Sequence, residues 1–153
     1  MSEDSAARLA ALGLSLPEAP SPAANYVPFH IFNGFLFISG QLSRTAGESV
    51  IGKLGADVSV EDGQKAAQLA CLNILAQAQA ATGSLERISQ ALRLTGYVNA
   101  TPDFSEHPKV INGASDLLVA VLGDRGRHTR AAVGMGSLPF GVAVEVDAIF
   151  AIT

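Results

Sequence analysis

The period of the apolar positions changes several times along the chain, and each change marks an element. Val27–Phe32 and Phe35–Ser39 are short apolar runs joined at Asn33-Gly34. Both of these residues accept positive φ, and the dipeptide is the strongest short-range hairpin signal. In the second run Phe35 and Phe37 point one way and Leu36 and Ile38 the other, so both faces of that strand are expected to be covered. Ser59 offers an N-cap, with Asp62 as its capping-box partner, to a helix ending near Gly83. Ala67, Ala70, Cys71, Ile74 and Ala78 form one apolar stripe on it; Leu69, Leu72 and Ala76 form a second. A surface helix needs one stripe, so this helix is expected between two layers.

Leu92–Asn99 alternates, with Leu92, Leu94 and Val98 on one side and Arg93, Thr95, Tyr97 and Asn99 on the other. That period predicts a half-buried strand. A second helix carries Val110, Ala114, Leu117, Leu118 and Val121 on one face, with Pro108 in its first turn and Gly123 past its end. Thr129–Met135 and Val142–Ile152 read as two closing strands. Upstream, Ser5–Leu12 reads as a short helix, Ser15–Pro28 as an extended, proline-rich lead-in, and Leu42–Asp57 as a loop. The order ββ-α-β-α-ββ predicts an α/β (α+β) domain, a sheet backed by two helices. Two helices cover one sheet face, so the other is the expected subunit interface.

Composition strengthens the expectation of self-association. Only 16% of the 153 residues are charged and 48% are hydrophobic, against roughly 25% charged in an average soluble domain. Apolar surface left over in so small a domain needs a cover. The uncharged stretch between Lys65 and Glu86 holds too many amides and hydroxyls for a lipid-facing helix. The start, Met1-Ser-Glu-Asp, is acidic where a signal peptide is basic. With Cys71 as the single cysteine, a cytoplasmic location is expected. A net charge of -4 with scattered basic residues argues against nucleic acid as a partner.

His30, His107 and His128 fall in no metal-ligand spacing, so neither metal nor cofactor is expected. Cys71 lies within an apolar stripe and reads as an inert buried thiol. Gly134-x-Gly136 is followed by an alternating strand rather than a helix N-terminus, which favours bends over a phosphate loop. Glu145 and Asp147 share one face of the last strand with Ile149 and Ala151, and such carboxylates should meet solvent or a polar cleft. Arg130 stands among Ala131, Ala132 and Val133. It could pair with Glu145 or Asp147, or present its planar fork to a ligand carboxylate.

The residues Phe37-Ile-Ser-Gly-Gln-Leu, Gly96-Tyr-Val-Asn, Asp103-Phe104, Val110-Ile-Asn-Gly, Arg130-Ala-Ala-Val, Leu138-Pro and Val144-Glu-Val-Asp-Ala-Ile follow one another in an order and spacing that resembles the Rid/YjgF family. Its members are reactive-intermediate deaminases, also labelled L-PSP endoribonucleases. The resemblance covers Tyr26 to Ile152, dividing the chain into an N-terminal extension (1–25) and a Rid/YjgF-like domain (26–153). It implies a chorismate-mutase-like fold of the Bacillus type, assembled as a homotrimer around a central barrel with clefts between subunits.

The resemblance also implies a chemistry: hydrolytic deamination of 2-imino or enamino acids to 2-oxo acids and ammonia. Arg130 would hold the substrate carboxylate and Glu145 would place the attacking water. Tyr26, Ser39 and Asn112 would line the cleft. An imine is already electrophilic, so anchoring, one water and a carboxylate suffice. Ala132 stands where the deaminases often carry cysteine, and His128 where proline is common. A non-catalytic carboxylate-binding protein would use the same arginine. An endoribonuclease fits the acidic charge poorly.

Overall fold

The computed structural model describes residues 4–153. A short helix, α1 (Ser5–Ala11), precedes the hairpin of β1 (Phe29–Phe32) and β2 (Phe35–Leu42). Then come α2 (Val60–Thr82), β3 (Ile88–Asn99), α3 (His107–Leu122), β4 (Thr129–Met135) and β5 (Val144–Ile152). The strands form one sheet in the order β1-β2-β5-β3-β4, antiparallel except for the β3–β4 pair. Because β3 and β4 run parallel, the chain needs a crossover between them, and α3 supplies it. The expected sheet backed by two helices is therefore present.

Local chemistry explains the element ends. Asn33 and Gly34 both take positive φ, 51° and 79°, as the tight hairpin requires. Ser59 Oγ accepts from the Asp62 N–H at 3.1 Å, and Gly83 closes α2 in the left-handed conformation. Only that half of the expected capping box is made among the described residues.

The core lies between the helices and one face of the sheet. Leu36 and Ile38 of β2, Leu94 and Val98 of β3, and Val144, Val146, Ala148 and Phe150 of β5 are buried there. They meet Ala67, Ala70, Cys71, Ile74 and Ala78 of α2 and Val110, Ala114, Leu117, Leu118 and Val121 of α3. The helices approach each other closely at Gly113, where a Cβ would strike the Gln64 carbonyl. Burial pushes the Cys71 thiol upward, which keeps it protonated and inert.

Several expectations change in detail. β3 starts four residues before Leu92, and its register against β5 shifts between Ala91 and Arg93. The irregularity turns Ala91 inward and leaves Leu92 half-buried. Asn99 is buried rather than facing out, donating to Val142 O and accepting from Lys53. The second stripe of α2 meets no second sheet: Leu69 and Leu72 face a groove whose other wall is residues of the 13–18 and 45–48 segments. The lead-in is tied down too, with Leu14 and Leu16 on the core and Gln77 Nε2 donating to Pro20 O at 2.7 Å.

The opposite face of the sheet is open. Phe35, Phe37 and Val133 are each about two-fifths exposed there, 42%, 43% and 39%. No helix of the described residues is long and apolar enough to cross a membrane.

Candidate functional site

Arg130 is the second residue of the edge strand β4; it is half-buried and leaves the strand on the helix-facing side. The register pairs it with Leu94, which is fully buried on that side. Its guanidinium reaches the first turns of α3, where Nη1 donates to Asn112 Oδ1 at 2.8 Å and to Ser115 Oγ at 3.1 Å. Nη2 donates to Pro108 O at 3.3 Å. All three acceptors are neutral, and Arg130 makes no ion pair among the described residues. An arginine has five N–H donors. The two left over are Nε–H and one hydrogen of Nη2, and these two nitrogens form the side edge of the fork, which fits a carboxylate bidentately.

Asn112 and Ser115 lie three apart on α3 and so share a face. Ser115 is the partner that sequence reasoning overlooked, although its spacing from Asn112 was a usable signal. Further along the same face of β4, Gly134 lets the His107 ring close in, with Nε2 2.6 Å from where a Cβ would sit. Beside it opens a cavity of about 640 Å³ lined by Lys53, Phe104, His107 and Gly134, among others.

Glu145 belongs to the other side of the sheet. Val144 and Val146 are buried against the helices, so Glu145 between them projects from the open face. Its register partners are Tyr97 on β3 and Leu42 on β2. The carboxylate lies over Gly40, inside the irregularity of β2 between Ile38 and Gln41. Burial, then the neighbouring Asp147 charge, hold the Glu145 carboxyl above its ordinary range. Asp147 accepts from Tyr97 Oη at 2.9 Å, and burial followed by this bond raises the tyrosine as well.

Ser39, one residue before Gly40, donates from Oγ to Val27 O at 2.8 Å, and its N–H donates to Pro28 O at 3.0 Å. These bonds lay the chain just after Tyr26 along β2. Tyr26 is half-exposed, and with Gly40, Gln41, Arg44 and Asn73 it lines a cavity of about 80 Å³.

The five candidate residues thus fall into two groups. Arg130 and Asn112 are in hydrogen-bond contact at the β4 edge; Glu145, Ser39 and Tyr26 gather around the β2 irregularity. The two groups do not meet within the chain. β3 separates β4 from β5, and the register places Arg130 three residues from the partner of Tyr97. That separates the Cα atoms of Arg130 and Glu145 by roughly 14 Å, from strand spacing and rise, with side chains on opposite faces. Of the two alternatives for Arg130, pairing with Glu145 or Asp147 is therefore not the one the structure contains. The strand next to Arg130 is β3, and its guanidinium bonds α3.

This arrangement defines a class: an α+β domain, a five-stranded sheet backed by two helices, with an arginine that pairs with no carboxylate among the described residues on one side of the sheet and a half-buried glutamate on the other. Residues 6–151 match the family described as "YjgF/chorismate mutase-like, putative endoribonuclease", and the chain belongs to that family. Protein TCP17 of Trypanosoma cruzi is 47% identical over 146 residues, covering 94% of this chain and 91% of its own. A crystal structure of a protein of unknown function from Agrobacterium tumefaciens is 50% identical with a TM-score of 0.89, covering 95% and 91% of the two chains. A second, of a "putative endoribonuclease" from Shewanella oneidensis, is 38% identical with a TM-score of 0.95, covering 98% and 100%.

Proposed function

We propose that this protein hydrolyses 2-imino or enamino acids to 2-oxo acids and ammonia, in clefts formed between copies of the chain in a homotrimer. The observation that carries the reading is the state of Arg130. Three neutral acceptors hold it in place, no carboxylate among the described residues pairs with it, and its Nε bonds none of them. A structural arginine normally ends on an acid. One held ready without an acid suits a carboxylate that arrives with the ligand.

The second half of the site comes from a neighbouring copy. Arg130 and Glu145 of one chain cannot touch one small ligand, being on opposite faces of the sheet. Packing the open apolar faces of three copies together would bring the Glu145 group of one subunit towards the Arg130 group of the next. There Glu145, with Ser39 and Tyr26 beside it, would orient the attacking water and take its proton. Water adds to the C=N carbon, the nitrogen leaves as ammonia, and a 2-oxo acid remains. The proton affinity of Glu145, raised by burial, moves it closer to the range in which a general base works well.

The test couples the protein to an amino-acid oxidase that releases a 2-imino acid and follows 2-oxo acid formation. Faster formation than in buffer is expected. Arg130→Ala should abolish the acceleration and the binding of 2-oxobutyrate while leaving the assembly intact. Arg130→Lys should restore little, because an ammonium cannot copy two parallel hydrogen bonds. Binding of 2-oxobutyrate that survives Arg130→Ala would sink the reading.

A further inference from the structure

The arginine is itself supported from behind. His128 stands two residues before Arg130, and its Nδ1 lies 2.6 Å from Gly126 O. A carbonyl oxygen only accepts, so Nδ1 must carry the proton. In the neutral ring Nε2 is then a lone pair, and it lies 2.9 Å from Ser115 Oγ. The Ser115 hydroxyl therefore donates to His128, which leaves its lone pairs for Arg130 Nη1 at 3.1 Å. Three hydrogen bonds run in one direction, from guanidinium to hydroxyl to imidazole to carbonyl.

We infer that Ser115 and His128 are positioning residues that set the plane of the Arg130 guanidinium for its ligand. The inference rests on the reading of Arg130 as the carboxylate anchor. Asn112 Oδ1 engages one hydrogen of Nη1, and a planar group held by a single short bond can still swing about it. Ser115 takes the other hydrogen of the same nitrogen and fixes the plane. The contact to Pro108 O, at 3.3 Å, is too long to do this alone.

Ser115 can serve only while its lone pairs face the arginine. A serine hydroxyl in a helix ordinarily can donate back to a carbonyl of the preceding turn. His128 gives that proton a different acceptor, and its own tautomer is set in turn by Gly126 O. Both act through Nη1 and not through the unbonded Nε of the guanidinium, so their effect should appear in binding more than in the chemical step.

The experiment uses the full chain, the oxidase-coupled assay and titration with 2-oxobutyrate. Ser115→Ala and His128→Phe should each raise KM and the Kd of 2-oxobutyrate about tenfold, the scale of one hydrogen bond to a charged group, with kcat within about twofold. Ser115→Thr, which keeps the hydroxyl, should restore most of the loss. The double variant should be no worse than either single one, because both act through one path. An unchanged KM, multiplying effects, or a loss confined to kcat overturns the inference. The unmutated protein offers a measurement independent of variant folding: the imidazole ¹⁵N spectrum should show His128 as the Nδ1–H tautomer, and the Nε2–H form overturns the inference. Arg130→Ala separates the two readings. If it leaves 2-oxobutyrate bound, the anchor reading falls and this inference with it. If it abolishes binding while Ser115→Ala changes nothing, only the positioning role falls.

Discussion

The carboxylate of Glu145 occupies the space that a side chain at Gly40 would need. A Cβ built on Gly40 falls against Glu145 Oε1, with Cδ 3.0 Å away. Gly40 sits in the irregular stretch of β2 where pairing to β5 slips between Ile38 and Gln41, and such slips re-aim side chains near functional sites. Here the slip and the missing side chain together make room for one acid beside Ser39.

Gly40→Ala is therefore expected to leave the fold in place, since the atom in its way is the far end of a flexible side chain. Glu145 should be displaced instead. We expect stability to change by less than about 1 kcal/mol, 2-oxobutyrate to bind as before, and turnover to fall by roughly 10–10² if the glutamate acts as general base. Thermal unfolding, titration and the oxidase-coupled assay on one preparation check all three. Undiminished turnover would remove Glu145's placement from the mechanism.

The raised proton affinity of Glu145 sets a pH dependence. As a base it must be ionised, so kcat/KM should rise with pH along an acidic limb lying above about 4.3, the usual glutamate value. Glu145→Gln should flatten that limb and lower turnover. Stability runs in the opposite sense. Between the unfolded and the raised folded value, the native state holds more protons than the unfolded one, so stability falls as pH rises through that window. Glu145→Gln removes this dependence and should make the protein less pH-sensitive there. A limb at or below the ordinary glutamate range would contradict the assignment.

The same residues show how far the sequence could be read. Asn33-Gly34, the stripes of α2 and α3 and the alternation of β5 are local signals, and each element appeared where its period put it. The face assignments of β5 survived because one period of two runs unbroken from Val144 to Phe150. Those of β3 failed at Leu92 because an irregular register at Ala91/Arg93 resets the alternation, and no residue type announces it. Sheet order is not local at all. Arg130 and Glu145 lie on consecutive strands of the sequence, which suggested a pair, yet β3 inserts between them. The parallel pairing of β3 with β4 follows from α3 crossing over, and only the packed helix reveals it.

The open sheet face gives the last prediction. Phe35 and Phe37 of β2, Ile149 and Ala151 of β5, and Val133 of β4 share it by register, and Phe37 is 43% exposed in the single chain. A homotrimer built on this face would bury Phe37, whose neighbours there include Ile149 opposite it and His30 on β1. Phe37→Asp would place a carboxylate in that contact with no arginine or lysine as a register partner. An unpaired charge buried at an interface costs several kcal/mol, enough to shift assembly by orders of magnitude in concentration. The chain's own core is on the far side of the sheet, so the variant should keep its secondary structure while sedimenting as a smaller species. If the site is shared between copies, 2-imino acid hydrolysis should be lost together with assembly, although Arg130 and Glu145 are both unchanged. Sedimentation equilibrium and the oxidase-coupled assay on Phe37→Asp measure both effects. A variant that still sediments as a trimer would place the interface elsewhere, and a dissociated variant with full activity would show that one chain carries the whole site.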